Sequence, residues 1–135
     1  MLRHSLFIFG EAEKGDFCVP YICNSIKQLM QLFGNKGSSG IEAAIQAILL
    51  GRDCIFFRVH EEGFSREDYF KGFNVLRHNQ ILGNLSAICM PGVGDQELIH
   101  ASLPLCDLHG SLLIVKETDM FDYLLTSRGN TPKYR

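Results

Sequence analysis

The sequence predicts an α/β fold: a single domain with a mainly parallel sheet of four or five strands flanked by helices. Two observations carry that expectation. Short, almost wholly apolar runs recur at residues 6–9, 54–59, 85–90 and 111–116, and strands apolar on both faces suit a parallel sheet buried between helices. Between them lie stretches with apolar residues at helical spacing, opened by Ser or Asp and closed by Gly, so strands and helices alternate through the second half. At 135 residues the chain fits one domain of ordinary size. With no internal repeat and no linker, the domain is placed at residues 1–127, and the locally basic stretch 128–135 is expected to be a disordered polar tail.

Each element has its own signal. Residues 6–9 (LFIF) form the first strand. The polar stretch GEAEKGD follows, and residues 17–22 are a second strand that Pro20 assigns to an edge, because proline cannot donate to the ladder. Asn24 or Ser25 caps a helix carrying Ile26, Leu29, Met30, Leu32 and Phe33, which Gly34-Asn35 ends. Ser38 or Ser39 caps the next helix, with Ile41, Ala44, Ile45, Ile48 and Leu49 on one face and a stop at Gly51. After the strand at 54–59, Ser65 caps a helix with Glu67 and Asp68 in its first turn and Arg77 and His78 in its last. Tyr69, Phe70, Phe73 and Leu76 make its apolar stripe. After the strand at 85–90 and the turn Pro91-Gly92-Val93-Gly94, Asp95 caps a helix from Gln96 that buries Leu98, Ile99 and Leu103, until Pro104 bends or ends it. The strand at 111–116 and a helical piece, TDMFDYLLTS, close the domain.

Composition narrows the function classes. The apolar share is 46%, the charged share 21% and the formal net charge −2. Such a balance offers no basic excess for nucleic acid. Aromatic and basic residues are not interleaved as on a single-strand binding surface. The five cysteines, Cys18, Cys23, Cys54, Cys89 and Cys106, are odd in number, and Cys54 and Cys89 sit within apolar runs, as small core residues do. Reduced thiols in a cytoplasm-like compartment are expected. No run approaches the ~20 residues of a membrane span, and MLRHSLFIF has too short an apolar run for a signal peptide. A soluble, cytoplasmic protein is expected, with neither nucleic acid nor membrane as partner.

The chemistry-bearing residues gather where strands end. Glu11 and Glu13, then His60, Glu61 and Glu62, then Asp95, then Glu117 and Asp119 follow the carboxyl ends of strands, the place where parallel sheets bind ligands. Such an acidic rim could hold a divalent metal through oxygen ligands or split its pKa values for acid–base work. Loop polarity and helix capping account for the same residues, Asp95 and Asp119 above all. GEAEKGD lacks the spacing of a P-loop, and PGVGD lacks the third glycine of a dinucleotide fingerprint. His100, Cys106 and His109 match no common zinc spacing, and no local sequence supports a nucleophilic cysteine. No catalytic residue, metal ligand or cofactor is therefore assigned.

The order of the pieces resembles the conserved core of contractile-tail sheath proteins of phages and related injection machines. Over residues 5–125 the shared features are the strand leading to Gly10–Gly15, a proline-containing segment and a Ser-led helix ending in Leu32-Phe33-Gly34. Then come Phe57-Arg58-Val59, the Asp68-Tyr69-Phe70-Lys71-Gly72 helix, and a strand ending in Pro91-Gly92 before an acid-led helix. The family's extended arms, its C-terminal domain and its insertion after Val59 have no counterpart in this sequence. The resemblance implies a non-enzymatic structural or interaction module that packs against itself or a protein partner, in the cytoplasm or in a phage-like particle. Glu11, Lys14, Asp16, Glu61 and Glu62 are the expected exposed contact residues. The alternative is a small-ligand or divalent-metal-binding domain, enzymatic or not, that uses the acidic rim.

Overall fold

The computed structural model describes residues 5–78 and 85–126. In chain order the elements are β1 (Ser5–Gly10), β2 (Pro20–Cys23), α1 (Ile26–Phe33), α2 (Ser39–Leu49), β3 (Asp53–Arg58), α3 (Arg66–His78), β4 (Leu85–Cys89), α4 (Gln96–His109), β5 (Leu112–Ile114) and α5 (Glu117–Thr126). The expected tail at 128–135 lies outside the described residues. So does the end of the closing helical piece.

The five strands form one sheet in the order β2-β3-β1-β4-β5. β1 pairs in parallel with β3 and β4, and β4 with β5, whereas β2 runs antiparallel to β3 at the edge. The parallel strands alone are thus ordered second, first, third, fourth, a doubly wound arrangement in which the chain leaves β1 and β4 in opposite directions. Proline at the start of β2 fits its edge position. The strand is shorter than the run at 17–22, because Phe17 makes only an isolated bridge to Arg58 and Cys18 turns the chain at a left-handed φ of 60°.

Each face of the sheet has its own core. On one, Leu6, Ile8, Cys54, Phe56, Ala87 and Cys89 pack under α1, α2 and α5. On the other, Phe7, Phe9, Ile55, Phe57 and Ile88 meet α3 and α4. The second face is aromatic: Phe9 stacks on Tyr69 at 4.9 Å and meets Phe73 edge-on at 5.8 Å. Gly72 lets α3 lie that close, since a Cβ there would stand 2.2 Å from the Phe9 ring.

The caps resolve the sequence alternatives: Ser25 accepts from the Gln28 N–H, Ser38 from the Ile41 N–H and Asp95 from the Glu97 N–H. Ser65 starts α3 through its carbonyl, while its hydroxyl ties back to Glu61. Four expectations need correction. α4 runs through Pro104 without a break; His100 and Pro104 are both exposed, so water can solvate the carbonyl that loses its amide partner. The face α4 buries is Leu98, Ser102, Leu105 and Cys106, with Leu103 45% exposed. Likewise α2 buries its small residues, Gly40, Ala43, Ala44 and Ala47, beside Ile41, and turns Leu49 outward. Small side chains let a helix lie close to the sheet, which a rule that counts only large apolar residues misplaces. Phe70, too, is 39% exposed, and Asp68 takes a place on the buried stripe instead. No helix among the described residues is long and apolar enough to cross a membrane.

Candidate functional site

All four parallel strands point their carboxyl ends at one rim, and the two halves of that rim are built differently. Over β1 and β3 the loops are locked together. β1 ends at Gly10 and α2 begins beside it at Gly40, so close that a Cβ on Gly40 would stand 2.6 Å from the Gly10 Cα. Two N–H groups converge at this junction, and one oxygen of Glu62 accepts from both, from Glu11 at 2.9 Å and Gly40 at 2.9 Å. Glu11 returns the contact, its carboxylate accepting the Glu62 N–H at 2.9 Å. Ser38, the α2 cap, donates its hydroxyl to the Glu11 carbonyl at 2.7 Å. A helix start meeting a strand end is where parallel α/β proteins hold anions. Here the chain's own carboxylate fills the cradle.

The rest of the loop at 11–16 is tied down as well. The N–H groups of Glu13 and Lys14 donate to the Phe33 carbonyl, the Glu13 carboxylate accepts from the Asn35 N–H at 3.0 Å, and Asp16 accepts from the Tyr21 hydroxyl at 2.7 Å. That hydrogen bond to Asp16 raises the Tyr21 pKa. Of the five expected contact residues, Glu11, Lys14, Asp16 and Glu61 are exposed and Glu62 is half-buried. The structure brings Glu11 and Glu62 into direct contact and sets Lys14 and Asp16 on the same loop.

Beside this clamp sits Asp68, buried on α3 at 5% exposure. One of its oxygens accepts the His60 N–H at 2.7 Å and meets His60 Nδ1 at 2.7 Å; the other accepts the Cys18 thiol at 3.2 Å. Burial pushes the Asp68 carboxyl up, but the His60 and Cys18 hydrogen bonds outweigh it and hold the pKa below the ordinary value. The same contact leaves Cys18 a poor nucleophile: burial, then the Asp68 carboxylate, push its pKa to about 11. The exposed His60 ring stacks on Phe17 at 3.7 Å, and the Arg58 guanidinium covers the Phe17 ring, 3.9 Å from its centroid. The sequence marks His60 as a rim residue and Arg58 as a strand-end residue, but nothing local joins either to Phe17. Asp68 does leave a trace, because 68, 72 and 76 lie on one helical ridge with Gly72 and Leu76, both buried.

Over β4 and β5 the rim is open. A cleft of about 130 Å³ lies between the start of α2, the turn after β4 and the start of α5, lined among others by Ser39, Glu42, Gly92, Lys116, Glu117 and Met120. Cys89 reaches it from below, its thiol pushed up to about 12 by burial and then by the Glu62 charge. At the boundary of the halves Arg66 donates to Asp95 and to Glu97, each at 2.5 Å, joining the starts of α3 and α4. That contact with Arg66 holds the Asp95 carboxyl below its ordinary value. Asp119 lies in the first turn of α5. The histidine and cysteine set on α4 has a structural use: His109 Nε2 meets the Leu76 carbonyl at 2.7 Å and Cys106 is buried. Among the described residues, no three His, Cys, Asp or Glu side chains converge as a metal-binding group.

No family model fits this chain, and no curated protein is similar to it.

Proposed function

We propose that this chain is a non-enzymatic structural or protein-interaction module, similar to the core of a contractile-tail sheath subunit, that packs against copies of itself. The observation that carries this reading is the filled cradle: the place where an α/β domain would take an anionic ligand holds Glu62, bonded to Glu11 and Gly40. The sheet margin adds an apolar surface for contact. Phe17, Val19 and Ile22, at 40%, 38% and 57% exposure, line the β2 margin. Ile22 stands beside fully covered Ile55 on the α3 side of the sheet. An edge strand with uncovered apolar side chains suits an extended segment that adds to the sheet, its backbone giving affinity and its side chains specificity.

Sedimentation velocity over a wide concentration range tests this reading. The expected result is concentration-dependent growth into oligomers, reduced at least tenfold in affinity by Ile22→Lys with no change in the thermal midpoint. A strict monomer at every concentration overturns self-packing. The open cleft favours a second reading, a small-ligand or divalent-metal-binding domain, with or without catalysis. At about 130 Å³ it is well below the ~300–1,000 Å³ of drug-sized pockets, which restricts the occupant to an ion or a few-atom ligand. Calorimetric titration with Mg²⁺ and Mn²⁺ checks it; no heat and no thermal shift removes it.

A further inference from the structure

We infer that Cys23 and Cys54 are a disulfide-forming pair, a modification site that covalently fastens the edge strand β2 to β3. The two residues are direct cross-strand partners in the antiparallel ladder. Paired residues in such a ladder have Cα atoms about 4.5–5.5 Å apart, within the ~4.4–6.8 Å that a disulfide spans. Both side chains point into the same core beneath α1 and α2, fully buried, and both are thiols in this structure. The nearness of the two thiols lowers the Cys23 pKa and, with burial, raises that of Cys54.

The placement of the two strands divides the roles of an exchange reaction. Cys23, on the strand with a free edge, is the attacking thiol, and Cys54, held in the six-residue strand β3 beside β1, is the resolving one. Access comes through β2 itself. It is four residues long and has β3 as its sheet neighbour, and a short edge strand opens locally at far less cost than the sheet interior. With a small-molecule disulfide such as oxidised glutathione as oxidant, the Cys23 thiolate attacks one sulfur and expels a glutathione thiolate, which takes up a proton. Cys54, losing its proton, then attacks the Cys23 sulfur and expels the second glutathione. Two protein thiols are oxidised and one glutathione disulfide is reduced to two thiols. The remaining cysteines are placed differently: Cys18 is bonded to Asp68, and Cys89 lies on β4, on the far side of β1 from Cys54.

The test equilibrates the full chain in native buffer over a series of oxidised-to-reduced glutathione ratios. Expected are the loss of two of the five thiols, a mass decrease of about 2 Da and a Cys23–Cys54 peptide in non-reducing digests. The thermal midpoint should rise as the bond closes a loop in the unfolded chain. Cys23→Ser and Cys54→Ser should each abolish the mass decrease, whereas Cys89→Ser, also in the core, should keep it. The inference is overturned by five thiols persisting across the series, by glutathione adducts without the internal bond, or by a disulfide mapped to any other pair.

Discussion

The two halves of the carboxyl-end rim rest on the same four parallel strands yet have opposite character. Over β1 and β3, a pair of glycines brings strand and helix into backbone contact, and Glu11, Glu62 and Asp68 each accept hydrogen bonds from neighbouring segments. Over β4 and β5, a small cleft stays open, and Lys116 and Glu117 border it as exposed side chains. Position at the end of a strand therefore does not make an acid a ligand. An acid's role is decided by whether other parts of the chain already supply the N–H groups it would otherwise lack.

If the closed half is held as described, the largest effect belongs to Gly40→Val. A side chain there meets backbone, which cannot swing aside, so unfolding should cost about 3 kcal/mol less than in the wild type, as read by urea titration. Asp68→Asn follows. It removes a charged acceptor of three hydrogen bonds and should destabilise by about 2 kcal/mol at neutral pH. Its pH dependence has a definite sign. Asp68 has a lower pKa folded than unfolded, so it binds fewer protons in the native state. Its contribution is complete above the ordinary carboxylate value of about 3.9 and is lost as pH falls through the lowered one. Wild type and Asp68→Asn should thus differ most near neutrality and converge in strong acid; parallel curves down to acid pH would contradict the Asp68 role. Glu62→Gln keeps the acceptor shape but not the charge, and at a half-buried position about 1 kcal/mol is expected. In the open half, Lys116→Gln should stay within about 0.5 kcal/mol of wild type. A Lys116 effect as large as that of Glu62 would erase the distinction between the halves.

The sequence exposed the sheet and helices well, because their signals are local. The apolar runs at 6–9, 54–59 and 85–90 are strands, Pro20 marks the edge, and Ser25, Ser38 and Asp95 mark helix starts. Where local rules failed, a tertiary contact decided. The alanines of α2 face the sheet because Gly10 and Gly40 draw the helix in, and Pro104 sits in a helix whose outer side faces water. The clamp itself was out of reach, since Glu11 and Glu62 are separated by 51 positions and nothing near either residue names the other. The motif 68–72 was visible as a pattern, but not its uses: Asp68 holds His60 and Cys18, Tyr69 stacks on Phe9, and Gly72 makes room for that ring.

The central place of β1 also bears on how the chain acquires its structure. It precedes both of its neighbours in the chain, and its partners are Asp53–Arg58 on one side and Leu85–Cys89 on the other. During synthesis at ~5–20 residues per second, Leu6, Phe7, Ile8 and Phe9 leave the ribosome seconds before either neighbour exists. Pairings so distant along the chain slow folding, because loop closure precedes the contacts that reward it. The arrival of β4 is the step that encloses β1 on both edges, and until then this strand is the segment of the nascent chain most in need of shelter.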